Sequence, residues 1–468
     1  MSEASGDSQD SLAMAKIEPA NLSSGSLWKA IWRMSYPLLI STVSNSTIGI
    51  ADVQVAKYLG TISQASVGIG EQVLFLFEVI IISMGVGTTA LISKAWGANE
   101  KNKAQILLIS SLGFTVVLSI LLLFIQYFSG GYILKLLNLK PDVLALATKY
   151  LQTYSWFYIP FSFVVTFNAS FRSIGDAKMQ MMVVLTITIL NILLDFLLVY
   201  LKFPLTLFGT NGIALASITA TSIGAVLALF LYTKSALFNL SIFKPKYINF
   251  EYIKSIVKIG FPAAIQRMNW VISVFVLFYI FSTCCHSTSA IAAWSVGLRI
   301  EALLFMPLVA LSLSVTPIVG QSIGAHNYKR AYDATLKVVK VAVSLMLVCS
   351  VLMYLASGYL AKLSSLDSET IKLVACYLKF NAVAEPFLAV TMVITGALQG
   401  ASDTKFAMLI SLIANWCIRL PVAYYLALKL GPVGVFIAMV ISNTFSTIIM
   451  TIYFAKLKWL QLDVLKPS

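Results

Sequence analysis

"SKAWGANEKNKA" (93–104) and "GQSIGAHNYKRA" (320–331) decide how this chain is built. The two stretches answer each other, with Gly97 and Gly324 offset by 227 positions. Working outward, "WRMSYPLLIS" (32–41) answers "VKIGFPAAIQ" (257–266), where Pro37 and Pro262 are 225 apart. "FRSIGDAKMQMM" (171–182) answers "LQGASDTKFAML" (398–409), with Asp176 and Asp403 again 227 apart, and "GTNGIALAS" (209–217) answers "GPVGVFIAM" (431–439). A nearly constant offset recurring at four places describes one unit used twice.

Each unit is a set of membrane spans. Of the 468 residues, 59% are hydrophobic and 11% charged, with a mean hydropathy of +0.87, whereas a soluble protein carries about a quarter charged residues. Apolar runs of the roughly 20 residues needed to cross a bilayer recur about twelve times. They fall near 31–58, 63–94, 104–127, 145–171, 178–201, 211–233, 255–281, 288–318, 334–358, 370–399, 405–428 and 432–455. The expected fold is an all-α polytopic membrane protein with twelve transmembrane helices in two six-helix, pseudo-symmetric lobes. Because six is even, both lobes run the same way, related by an axis along the membrane normal. Lys94, Lys101, Lys103, Arg172, Lys178, the lysines between 234 and 258, Lys329, Arg330, Lys405, Lys456 and Lys458 share one side with both termini. The positive-inside rule therefore puts both ends in the cytosol of a multi-pass cell-membrane protein.

The organisation that follows is a flexible cytosolic tail over 1–27, an N-lobe over 28–234, a cytosolic linker over 235–254, a C-lobe over 255–458 and a C-terminal tail over 459–468. The formal charge of +14 is dispersed through short loops and forms no patch for nucleic acid. Cys284, Cys285, Cys349, Cys376 and Cys417 lie in or near apolar segments without CxxC spacing and read as packing residues. Pro37 and Pro262 each interrupt a span, either as static kinks or as bending points. Nothing in the sequence demands more than a monomer.

The motifs "IADVQVAKYLG", "SKAWGANEKNKA", "FRSIGDAK" leading into "LNILLDFLLVY", "VGLRIEALLFMPLVALSLSVTPIVGQSIGAHN" and "ALQGASDTKFAMLISLIANWCIRLPVAYYLA" resemble the multidrug and toxic compound extrusion (MATE) family. The resemblance spans about residues 28 to 458 in order. It implies a V-shaped pair of lobes that exports organic, often cationic, compounds in exchange for H⁺ or Na⁺, with no other cofactor. Family members build an N-lobe site from an Asp in the first span, an Asn and an Asp four apart in the fifth, and a hydroxyl in the sixth. The matching positions are Asp52, Asn191, Asp195 and Ser217, with Asn168 a further polar position at the end of the fourth span; Asp52, Asn191 and Asp195 are the ligand set if the coupling ion is Na⁺. The match favours the DinF-like branch. The glutamate that other branches carry in the seventh span is missing from "PAAIQRMNWVIS", which offers Gln266, Arg267 and Asn269 instead. The repeat is equally asymmetric, since Asp52 corresponds to Leu277 and Asp195 to Val422.

Read from the residues alone, an Asp near mid-bilayer costs at least about 2.5 to 3.5 kcal/mol on insertion scales. Asn191 and Asp195 stack on one helix face. If Asp52 faces them, the two acids would share one proton or one metal cation, and neutralising them would change which lobe arrangement is favoured. The competing reading is a polar network that only ties spans 1 and 5 together. Glu78, Arg299, Glu301 and Glu385 are candidates for the substrate cavity, with Glu385 the foremost C-lobe acid, and Arg419 reads as a structural or snorkelling residue. Trp156, Tyr158, Trp270 and Trp294 fit interfacial belts and packing as well as cation stacking. An intramembrane protease is disfavoured: "SIGDAK" has Ser173 where a GxGD site needs Gly, and His286 and His326 form no HExxH. A channel is disfavoured by the two-half repeat. The alternative of another class is a flippase for lipid-linked sugars, which shares the superfamily architecture but needs a more basic cavity.

Overall fold

The computed structural model describes residues 22–137, 139–200, 209–284, 288–364 and 366–461. The expected N-terminal tail up to residue 21, Cys285, His286 and the C-terminal tail from residue 462 lie outside the described residues. The chain is helical throughout: α1 (Leu27–Tyr58), α2 (Thr61–Gly97), α3 (Lys101–Lys135), α4 (Pro141–Tyr154), α5 (Tyr158–Ser173), α6 (Ala177–Tyr200) and α7 (Thr210–Thr233) build the N-lobe. The C-lobe comprises α8 (Phe250–Cys284), α9 (Thr288–Gly324), α10 (Tyr328–Ser364), α11 (Ser368–Gly400), α12 (Thr404–Leu412), α13 (Leu420–Leu430) and α14 (Pro432–Ala455). A 3₁₀ turn over Ser155–Phe157 joins α4 to α5, and a π-helical turn over Ile413–Arg419 joins α12 to α13, so the fourteen helices make twelve rods. Ten of these rods are long and apolar enough to cross a membrane by composition. The other two are α1, which carries Asp52 among many hydroxyl and amide residues, and α4–α5, whose two parts are each short.

The repeat is visible atom by atom at the end of the bundle that bears the termini. Asn99 and His326 both take left-handed φ, +61° and +56°. The amides of Glu100 and Asn327 reach back to the carbonyls of Ala95 and Ser322 at 2.9 and 2.8 Å, so α2 and α9 end in the same Schellman cap. Gly175 and Ser402 repeat the device, with Asp176 and Asp403 bonding Phe171 and Leu398 at 2.9 and 2.8 Å.

The lobes meet through these capped ends. A Cβ on Gly97 would lie 2.1 Å from the Gln321 carbonyl oxygen, and one on Gly324 2.0 Å from that of Lys94. Lys94 and Gln321 are themselves repeat mates, so the contact is its own image across the pseudo-axis. Each also clasps the opposite lobe: Lys94 Nζ donates to the Ala401 carbonyl (2.8 Å) and Gln321 Nε2 to that of Ser173 (2.7 Å). Ser35 donates to Ser314 at 3.0 Å nearby.

Helix α1 belongs to both lobes. Ala30, Ile31, Met34 and Leu38 pack into the C-lobe core, whereas Ala56 packs into the N-lobe, with Pro37 near the crossover. Leu22–Gly25, inside the stretch expected to be a flexible tail, is held in place. Leu22 is fully buried in the C-lobe core, its amide donates to Gln321 Oε1 (3.2 Å), and Arg330 donates to the carbonyls of Leu22, Ser24 and Gly25 at 2.7 to 2.8 Å. These four backbone polar groups need partners, and a guanidinium has enough donors to satisfy several. The start of the expected C-terminal tail is packed as well, with Trp459 buried against Phe454.

Candidate functional site

Four of the sequence candidates meet in the N-lobe. Asp52 of α1, Asn191 and Asp195 of α6 and Ser217 of α7 are all buried. Asn191 Nδ2 donates to Ser217 Oγ at 3.0 Å, and Ser217 Oγ donates to Asp52 Oδ2 at 3.5 Å. Asp195 is 1% exposed, yet both of its carboxylate oxygens lack a hydrogen-bond partner, as do Asp52 Oδ1 and Asn191 Oδ1. Four buried oxygens from three side chains thus have no donor while both acids are ionised, and Asp52 and Asp195 lie close enough to share a hydrogen bond once one of them is protonated. An oxygen-only donor set suits a hard cation, and two facing carboxylates suit a shared proton equally well. Among the described residues no group of three or more His, Cys, Asp or Glu side chains is arranged to hold a metal ion. The site therefore offers two carboxylates, an amide and a hydroxyl.

The fifth expected member, Asn168, is buried on α5 with Oδ1 unpaired, but no described bond joins it to this cluster. Its neighbours Thr166 and Phe167 contact Thr115 and Tyr232 instead. In its place the structure brings Glu71 of α2, which the sequence reading did not single out. Glu71 is within electrostatic reach of Asp52 and Asp195, its Oε1 is buried and unpaired, and its Oε2 lies 4.0 Å from where a Cβ on Gly49 would stand, one turn before Asp52. Glu78 lies half-buried on the same helix, seven residues on. That spacing is the signal available in the sequence, because residues seven apart share a helix face.

In the C-lobe, Glu301 and Glu385 are within electrostatic reach of each other and Glu301 of Arg419, whereas Arg299 stands apart. Arg299 is exposed and meets no carboxylate, Lys103–Glu100 being the one ion pair among the described residues. Glu301 accepts a hydrogen bond from the Tyr377 hydroxyl. Glu385 is buried, accepts from Asn381 at 3.0 Å through Oε1, and leaves Oε2 unpaired. Arg419 donates to Ser442 (2.8 Å) and Asn443 (2.7 Å), tying α14 to the π-helical turn. In α8, Asn269 is committed to Ser411 and Trp416.

Two six-helix lobes, joined at one end and carrying an acidic site in the half of one lobe away from the termini, define a membrane transporter rather than an enzyme. The MatE family pattern matches residues 37–197 and 262–425, one stretch in each lobe, and the chain belongs to that family. It is 26% identical over 435 residues to a probable multidrug resistance protein NorM of Thermotoga maritima, covering 92% of this chain and 93% of the relative. An uncharacterised transporter, YisQ of Bacillus subtilis, is 24% identical over 402 residues, covering 86% and 88%. Among solved structures, a MATE protein in the bent conformation superposes with a TM-score of 0.86 at 22% identity, covering 93% of this chain and 97% of that one. A MOP superfamily transporter from Pyrococcus furiosus, described as having a binding pocket of reverse polarity that suggests a different function, superposes equally well at 21% identity, covering 94% and 98%. The polarity of the present pocket must therefore be argued from its own residues.

Proposed function

We propose that this chain is a secondary active multidrug efflux antiporter that exports organic, often cationic, compounds in exchange for H⁺ or Na⁺ by alternating access. The observation that carries the reading is the set of four unpaired, buried oxygens on Asp52, Asn191 and Asp195. Leaving such carboxylates charged in an apolar interior costs several kcal/mol each, so an entering proton or Na⁺ is bound and an organic cation competes for the same negative charge. Each ligand shifts the lobes only by its difference in affinity between the two states. Lobes over 28–234 and 255–458 move against each other in this reading, with both termini cytosolic and a monomer sufficient. A seventh span whose polar residues include the already bonded Asn269 and no acid supports the DinF-like branch. The second reading, a lipid-linked sugar flippase, draws on Arg267, Arg299 and Arg419 in the C-lobe spans.

The test uses purified protein in liposomes loaded with a fluorescent organic cation, under an imposed pH gradient or Na⁺ gradient, for the wild type and Asp195→Asn. Efflux driven by one ion and lost in the variant is expected. Full gradient-driven efflux by Asp195→Asn would overturn the coupling role, and no efflux under either gradient would favour the flippase, with lipid-linked sugars as the next substrates.

A further inference from the structure

Gly70 and Phe77 of α2 each pack on a tyrosine of the fourth rod. A Cβ on Gly70 would lie 2.7 Å from the Tyr150 ring, and the Phe77 and Tyr158 rings are 6.2 Å apart. Tyr154 stands between them, 5.6 Å from Tyr150 ring to ring. The residues that follow Gly70 and Phe77 are Glu71 and Glu78, so a track of two carboxylates runs beside a ladder of three phenols. Tyr150 is within electrostatic reach of Glu71, Tyr158 of Glu78, and Tyr154 of both.

The other lobe supplies an internal comparison. Gly297 and Tyr377 are the repeat mates of Gly70 and Tyr150, and they pack in the same way, a Cβ on Gly297 lying 2.2 Å from the Tyr377 ring. There the hydroxyl is used up, donating to Glu301. The Tyr150 hydroxyl is fully buried and has no partner, and Glu71 Oε1 has none either. Neither Glu71 nor Glu78 forms an ion pair among the described residues. The Gly–Tyr pair thus has its hydroxyl bonded to an acid in one lobe and unpartnered in the other, while Glu385 Oε2 stays unpaired in the C-lobe and the Tyr158 hydroxyl donates to Gln126 in the N-lobe.

We propose that Glu71 and Glu78, with the Tyr150–Tyr154–Tyr158 ladder, form a two-point subsite for organic dications, adjoining the Asp52–Asp195 pair. Seven residues of α-helix rise by roughly 10 Å, which sets the separation of the two positive centres the track accepts. The three rings are buried in the lobe core, so they back the track as an apolar wall and leave the carboxylates as the groups the cation meets. A monocation satisfies one carboxylate and leaves the other unpaired, whereas a dication of matching length satisfies both. This inference rests on the export reading for its physiological direction but makes a separate claim about binding.

The experiment measures binding of bis(trimethylammonium)alkanes with two, six and ten methylene groups, and of tetraethylammonium, to the full chain in lipid nanodiscs. Wild type, Glu71→Gln and Glu78→Gln are compared by calorimetry. The six-methylene compound is expected to bind about tenfold more tightly than the shorter and longer ones. Either substitution should erase that preference, bringing the six-methylene compound to the affinity of the shorter and longer ones. Absence of a length preference in the wild type, which no folding defect can explain, overturns the proposal, as does its survival in both variants. Gradient-driven efflux of tetraethylammonium separates the two ideas: efflux without a length preference sinks the dication subsite alone, and a length preference without efflux sinks the export reading alone.

Discussion

Gly324→Ala should open the end of the bundle that bears the termini. In the structure a methyl group there would stand 2.0 Å from the Lys94 carbonyl oxygen, where ordinary contact begins at 3.4 Å, so the two backbones must part by about 1.4 Å. The obstacle is main chain on both sides and cannot rotate away. Adding a methyl to a packed contact costs about 1 to 3 kcal/mol. The same displacement stretches the Lys94–Ala401 and Gln321–Ser173 bonds, now 2.8 and 2.7 Å, past hydrogen-bonding distance, and each contributes about 1 kcal/mol net. A total of about 3 to 5 kcal/mol lowers the ratio of closed to open lobes by about a hundredfold or more. Because the contact is its own image, Gly97→Ala, at 2.1 Å from the Gln321 oxygen, should do the same.

The readout is an electron–electron distance between spin labels on Asn102→Cys and Lys329→Cys, two exposed repeat mates just beyond the clasp, with the native cysteines replaced. Gly358→Ala, whose new methyl would meet nothing within 4 Å, is the control. The distance distribution of Gly324→Ala and Gly97→Ala should move to longer values while the control matches the wild type. Identical distributions in all four proteins would refute the assignment of this glycine pair as the hinge of closure.

Three further outcomes follow from single contacts. Tyr377→Phe removes the donor to a half-buried Glu301 and should lower the thermal midpoint in detergent relative to Tyr150→Phe, which removes a hydroxyl with no partner; equal midpoints would contradict the comparison between the lobes. Arg330→Ala deletes three bonds to the Leu22–Gly25 strap, so limited proteolysis read by mass spectrometry should cut close to Leu27, where the wild type is protected back to about residue 22. Asp367 caps α11 by accepting from the Thr370 hydroxyl and amide at 2.6 and 2.8 Å, and these bonds hold its carboxyl below the usual aspartate value. Its contribution is therefore complete above that usual value and is lost as the pH falls through the lower folded one; the protection of the Thr370 amide relative to its intrinsic exchange rate should fall in acid in the wild type, and be low in Asp367→Ala at all pH values.

The sequence carried the fold because its repeat marks backbone geometry. Gly97 and Gly324 recur at one offset since each must let a carbonyl approach, and the paired caps at Asn99 and His326 need a residue that tolerates left-handed φ. Asp52, Asn191, Asp195 and Ser217 were legible for a different reason: polar side chains in apolar spans have few explanations. Glu71 escaped because it stands near the start of α2, where a carboxylate reads as a boundary residue, and Tyr150 escaped because aromatics are common in membrane helices. The strap at Leu22 was hidden by its Ser-rich surroundings, since what orders it is a guanidinium some three hundred residues away. Arg299, a charge inside a span, is exposed and pairs with no acid among the described residues, an arrangement that neither composition nor spacing foretells.

The two lobes share a frame and differ where chemistry would act. The positions corresponding to Asp52 and Asp195 are Leu277 and Val422, which pack into or against the apolar core of the C-lobe. The tyrosine that is free in one lobe is bonded to an acid in the other. A symmetric clasp gives the lobes a shared way to close, but symmetry by itself gives an ion or a substrate no reason to prefer one state. The preference has to come from the unsatisfied half. α1 carries it, because its first turns are buried in the C-lobe core while Asp52, beyond Pro37, sits with Asn191, Ser217 and Asp195. If the acids couple transport as proposed, neutralising them acts on that segment of α1 and on α6, while the first turns of α1 stay anchored in the C-lobe core. Pro37, which lacks the amide to stiffen the helix between them, is where that difference would be converted into bending, and Pro37→Ala should weaken coupling while leaving cation binding at Asp52 and Asp195 in place. Parallel loss of binding and transport in that variant would instead make the proline a packing residue.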